Sequence, residues 1–172
     1  QNEIARFWFE GPGSWYRGAR AASEARGLDS WDSARALAGV SFAMADGYIA
    51  GFKIRYVYDF WRPVTAIREA AEDGNDATVA DPNWNSNQNT PSVSDYPSTQ
   101  SIFSGAAAVV LASYLGTDQV AFTMTSGPPF ANIKRSYTSL SQAARESADS
   151  RVYAGIHFRS ACEDGLVLGR KI

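Results

Sequence analysis

The chain has 172 residues, a formal net charge of −2, and an ordinary globular composition, 45% hydrophobic and 20% charged. That is one domain's worth of chain, residues 1–172, with enough length for a sizeable core and too little for two. Balanced charge with no basic run excludes a nucleic-acid footprint and an anionic-membrane patch, and the longest apolar run, Ile102 to Leu115, is interrupted at Ser104 and too short to span a bilayer.

The first residues, Glu3 to Phe9, read as the tail of an apolar helix stopped by Gly11-Pro12-Gly13. Trp15 to Arg26 forms a short helix ended by Gly27. Asp29 or Ser30 then caps a long helix in which Ala34, Leu37, Val40, Met44, Tyr48 and Phe52 recur at helical spacing. This helix is expected to reach about Trp61, because Pro63 disfavours helical geometry at Arg62. A short helical piece, Thr65 to Ala71, precedes a polar loop from Glu72 to Tyr96. An alanine-rich helix follows from about Ser101 to Leu115. After the Gly127-Pro128-Pro129 break come a helix from about Ser139 to Ser150 and a final helical element, Phe158 to Lys171. No alternating strand pattern and no repeat is read, so the expected class is all-α.

His157 is the only histidine and Cys162 the only cysteine. A histidine-pair zinc site is therefore excluded, as is an intrachain disulfide. Cys162 reads as a small buried residue, since no base other than His157 is present to activate it. His157 is left as a nucleophile, a base, a single ligand or a packed side chain. Arg55 and Arg62 are seven apart, which on an unbroken helix is about 700° and places both on one face, converging on an anion or lying at the surface. Lys53 falls on the opposite face. Ser98 fits an N-cap, where the free amides of the first turn make an anion site or serve the cap alone. Arg151 and His157 are six apart, and Gly155 between them supplies the bend that would bring them together.

Three segments in order, Tyr58 to Arg68, Tyr96 to Ala107, and Ser150 through His157 to Gly165, resemble the active-site motifs of the type 2 phosphatidic acid phosphatase and vanadium-dependent haloperoxidase superfamily. The resemblance runs from about Trp15 onward. It implies an all-α helical bundle holding vanadate, or phosphate in the same place, and a longer chain of which this is the C-terminal, active-site part, lacking N-terminal helices. By position, Arg62 and Arg151 match the oxoanion-binding arginines, Ser98 the hydroxyl donor, and His157 the vanadium ligand or phosphatase nucleophile. Arg55 stands where lysine is usual and Thr99 where glycine is usual. Gln100 replaces the acid–base histidine, and an amide has no proton to trade near neutral pH.

The phosphatases place aspartate four residues after the histidine, and here that position is Ala161. Together with Trp61 to Arg68 and His157 to Ala161, this favours the bacterial haloperoxidase branch. Its implied partners are hydrogen peroxide, a halide and a small organic acceptor, with vanadate activating peroxide toward the halide. Two alternatives stay open: an acid phosphatase with His157 as nucleophile, and a non-redox, catalytically silent oxoanion-binding homologue. The long amphipathic helices suit a homodimer face or missing N-terminal partners equally. The chain starts at Gln1 rather than Met. The compartment is left open: a soluble protein is expected, secreted or periplasmic if an N-terminal signal has been removed.

Overall fold

The computed structural model describes residues 1–172, and its element order follows where the sequence caps and breaks its helices. Helix α1 (Asn2–Phe7) turns at Gly11 into α2 (Pro12–Ala25). Asp29 caps α3 (Ser30–Tyr58), its carboxylate accepting the Asp32 N–H at 2.8 Å. Helix α3 stops short of Trp61. Asp59 takes a left-handed conformation with φ 39° and closes the helix through its N–H to the Arg55 carbonyl at 2.8 Å. Arg62 is then extended, as the residue before proline must be, and Pro63 opens α4 (Pro63–Arg68). Arg55 and Arg62 thus lie on different elements, and the shared-face argument for them fails at this break.

A single 3₁₀ turn, Ala70–Glu72, leads into a loop without regular structure that ends at Ser98. Helix α5 (Thr99–Leu115) forms the centre of the bundle, with α2, α3, α6 and α7 packed around it. Its residues from Gln100 to Ala108 are all buried, which the mixture of Ala, Ser and Gly permits because small side chains let neighbours approach. Glycines on α7 take this furthest. A Cβ at Gly169 would stand 2.0 Å from the Ile102 carbonyl oxygen, and one at Gly165 2.8 Å from that of Ser98. Helix α7 (Arg159–Gly169) therefore lies directly against the first turns of α5.

The hairpin β1 (Phe122–Thr125) and β2 (Lys134–Tyr137) is the one departure from helix. It pairs Phe122 with Tyr137 and Thr125 with Lys134 in antiparallel register, across the Gly127-Pro128-Pro129 break. Phe122, Met124 and Tyr137 turn into the core, an alternation of only four residues per strand. Ser139 caps α6 (Leu140–Tyr153), accepting the Gln142 N–H at 3.0 Å. The main core gathers Phe7, Trp8, Trp15, Val40, Phe103, Leu111, Leu140 and Leu166. On α3 the buried face consists of Ala36, Val40, Ala43, Met44, Gly47, Gly51 and Arg55, so Ala34 and Phe52 fall outside it. The opposite face exposes Trp31, Phe42, Ile49 and Tyr56. No helix is long and apolar enough to cross a membrane.

Candidate functional site

One cavity of about 190 Å³ is lined by Arg55, Arg62, Thr99, Gln100, Arg151 and His157, with an apolar rim that includes Tyr48, Phe52 and Phe103. Six of the seven residues singled out by sequence therefore meet at one place. They arrive from the last turn of α3, the N-cap of α4, the first turn of α5, the last turn of α6 and the turn beyond it. Ser98 does not line this cavity. Its fully buried hydroxyl caps α5, accepting the Ser101 N–H at 3.4 Å. Lys53 is exposed, on the side of α3 away from Arg55.

The bend between Arg151 and His157 is made as the sequence suggests. Gly155 adopts φ +74°, a left-handed conformation that glycine takes without steric cost. The chain then turns so that the imidazole returns over the end of α6.

Arg62 is held on three sides. Its Nε donates to the Val93 carbonyl at 2.7 Å, and its Nη1 donates to the Ile156 carbonyl at 2.7 Å and approaches His157 Nε2 at 3.1 Å. A guanidinium only donates, so Nε2 must be the accepting nitrogen and the imidazole proton sits on Nδ1. That nitrogen faces Asp95 Oδ1 at 2.8 Å, a hydrogen-bond distance, although the N–H points off the line to the oxygen. Burial pushes His157 down to about 4, partly offset by Asp95 and reinforced by Arg62 and Arg55, so the ring is neutral at pH 7.

Arg151 is held differently, with Nη1 donating to Gln100 Oε1 at 2.8 Å and Nη2 to Gln88 Oε1 at 3.0 Å. Gln100 is in turn fixed by its amide nitrogen, which donates to the Trp8 carbonyl at 3.0 Å and to Ser147 Oγ at 3.3 Å. The network continues from Ser147 to Ser104 and the Trp15 indole N–H. Arg55 donates from Nε to the Pro97 carbonyl at 3.0 Å and reaches Thr99 Oγ1 at 3.4 Å. Burial pushes both Arg55 and Arg151 down to about 10, which leaves them protonated at neutral pH. Cys162 is buried, and burial pushes its thiol up to about 12, so it is no nucleophile here.

Sequence reasoning missed two contributors, Asp95 and Gln88. Both lie in the polar loop and reach the site only through tertiary contacts. The available signal for Asp95 was a carboxylate three residues before Ser98, directly ahead of the motif segment that begins at Tyr96.

The fold and this cavity define a helical bundle whose motif residues converge on one arginine-rich pocket. Residues 35–172 match the family model described as the VCPO second helical-bundle domain, and the chain belongs to that family and to the vanadium haloperoxidase superfamily. Its structure superposes on that of the first bacterial vanadium-dependent iodoperoxidase with a TM-score of 0.82 at 32% identity, over 99% of this chain and 41% of that one. It superposes on a holo-type bacterial vanadium-dependent chloroperoxidase with a TM-score of 0.77 at 19% identity, again over 99% and 41%. The chain thus spans about two fifths of the length of these proteins. A comparison with curated proteins finds no match.

Proposed function

We propose that this chain carries the oxoanion site of a vanadium haloperoxidase-type protein, in which Arg55, Arg62 and Arg151 hold vanadate, or phosphate in the same place. His157 would be the protein ligand through Nε2. The observation that carries this reading is unbalanced buried charge. Three guanidinium groups line the cavity, the carboxylate beside it is Asp95, and two positive charges are left without a counter-ion. Buried charge of that kind is costly unless an anion enters, and a small dianion matches it. An oxoanion of four oxygens needs roughly 120 Å³, taking each at the ~30 Å³ share of a water molecule. The cavity of about 190 Å³ accommodates it. The first turn of α5 adds the positive end of a helix and the amides of Thr99 and Gln100, while Ser98 caps that turn from outside the cavity.

Vanadate, when bound, would supply a Lewis-acidic centre that activates hydrogen peroxide for two-electron oxidation of a halide, and the oxidised halogen, at the hypohalous level, would then halogenate a small organic acceptor. The residues of this chain supply charge neutralisation and orientation. Gln100 supplies no proton, because both ends of its amide are committed to Arg151 and to Trp8 and Ser147. Without general acid–base help, turnover is expected to be lower by about 10²–10⁴.

The test is calorimetric titration of the folded protein with orthovanadate, alongside His157→Ala and Arg151→Ala, followed by peroxide-dependent oxidation of iodide and bromide. Binding that both substitutions weaken, with slow oxidation that Gln100→His accelerates, is the expected result. Absence of binding by folded protein overturns the site, and binding without any oxidation identifies an oxoanion binder.

A second reading, phosphomonoester hydrolysis through His157, gains support from Asp95. The carboxylate missing at Ala161 is supplied from the loop, 2.8 Å from Nδ1. A phosphoenzyme trapped on His157 from an aryl phosphate would establish it.

A further inference from the structure

Asp95 is the group in the site whose position local structure explains least. It is fully buried, yet neither carboxylate oxygen has an aligned hydrogen bond. Buried carboxylates in structural roles are normally saturated by N–H donors. This one instead faces the two functional groups at one end of the cavity, His157 Nδ1 at 2.8 Å and Arg62 Nη1 at 3.8 Å. Its backbone is held for the purpose, since the Asp95 N–H donates to the Phe60 carbonyl at 2.7 Å, two residues before Arg62. Three residues later Ser98 caps α5. Asp95 therefore stands where all three motif segments meet.

We propose that Asp95 is the positioning residue of the site, holding His157 in its Nδ1–H form so that Nε2 stays unprotonated, its lone pair accepting from Arg62 Nη1 in the unliganded site and available to an oxoanion in its place. The proposal rests on the reading of Nε2 as the oxoanion-facing atom. Its physical basis is the geometry around the ring. A proton on Nε2 would set that N–H against the Arg62 Nη1 donor at 3.1 Å, two donors facing each other. A proton on Nδ1 needs an acceptor on the far side, and Asp95 Oδ1 is the oxygen within reach. Outer partners of this kind fix both tautomer and ring orientation, and losing one typically costs about 10–100-fold in affinity at the ligand they support.

The single histidine makes the test direct, because uniformly ¹⁵N-labelled protein has one pair of imidazole nitrogen resonances. In the unliganded wild type, Nδ1 is expected to carry the proton and Nε2 to be bare. Asp95→Asn keeps an acceptor oxygen and should keep that pattern. Asp95→Val removes the acceptor and should move a measurable share of the proton to Nε2. Asp95→Ser, whose hydroxyl is too short to reach Nδ1, takes its place if the valine variant does not fold. Orthovanadate affinity, measured by calorimetry, should fall about 10–100-fold in the variant lacking the acceptor and less in Asp95→Asn. A folded Asp95→Val or Asp95→Ser with the wild-type ¹⁵N pattern overturns the proposal. So does an equal affinity loss in all variants, which would assign Asp95 to charge balance alone. If wild type binds no vanadate, the functional reading fails, and the ¹⁵N spectra still decide the role of Asp95.

Discussion

Arg62 and Arg151 are equally buried in the same cavity, but they are held by different chemistry. Arg62 has main-chain carbonyls, the imidazole of His157 and a carboxylate within 3.8 Å. Arg151 has two neutral glutamine amides, and its Nε is buried with no partner at all. Burial lowers the proton affinity of both, and at Arg62 Asp95 works against that effect. The contrast separates two tasks. The Arg62 end is electrostatically complete and organises the histidine, whereas the Arg151 end keeps a charge that only dipoles solvate, and that charge remains available to an incoming anion.

Removing the complete end should do the most damage to the fold. Arg62→Met leaves Asp95 as an unpaired buried carboxylate and takes away the donor that fixes Nε2. Breaking a buried pair in this way costs about 3–5 kcal/mol, to be read from urea denaturation. A loss no greater than that of Arg151→Met would erase the distinction between the two ends.

The next effect in size is a pH dependence that belongs to the Arg62 end. His157 is pushed by burial from 6.5 to about 4, so between these values the unfolded chain binds more protons than the folded one. Stability from this group is fully present above about pH 6.5 and is lost progressively as the pH falls toward 4, by about 3 kcal/mol in all. Urea midpoints of oxoanion-free protein across this window should fall with pH, and His157→Gln should flatten the slope. An unchanged slope in that variant would assign the dependence to other groups.

What could be read from sequence divides along the same line. The Arg151 end is built from regular elements with local signals. Ser98 caps α5 and Gly155 makes the turn, and Gln100 and Arg151 fall in the terminal turns of α5 and α6, one residue beyond the helices read as Ser101 to Leu115 and Ser139 to Ser150. The Arg62 end depends on a break and a loop. Helical arithmetic put Arg55 and Arg62 on one face, whereas the left-handed Asp59 ends α3 first and the extended approach to Pro63 aims Arg62 into the cavity. Asp95 and Gln88 come from a stretch with no periodicity, where only tertiary contact tells a site residue from a solvated one. The hairpin was illegible for a related reason. Four alternating residues, Phe122 to Thr125, are too few to stand out from chance.

The Arg151 end should reveal itself in binding more than in stability. Arg151→Met keeps the length of the stem and removes the charge, and charge-assisted hydrogen bonds contribute about 1.5–3 kcal/mol each. Vanadate affinity should therefore drop about 10–150-fold by calorimetry. The cost to folding should stay below that of Arg62→Met, because the groups left behind, Gln88 and Gln100, are neutral.

The smallest effect, and the sharpest test of how Arg151 is aimed, is Gln88→Ala. Gln88 bridges the polar loop to α1, accepting from Arg151 Nη2 at 3.0 Å and donating to the Ala5 carbonyl at 2.8 Å. Its removal leaves Arg151 charged and still tied to Gln100, so only the second point of attachment is lost. One such bond is worth about 1 kcal/mol, or roughly a fivefold loss of vanadate affinity. Because Gln88 sits on a loop and Gln100 on the first turn of the most buried helix, Gln100→Ala should cost more in both affinity and stability. A Gln88→Ala loss as large as that of Arg151→Met would mean that the loop, and not α5, sets the direction of the guanidinium. The neutral end of the cavity would then depend on loop order just as the charged end depends on Asp95.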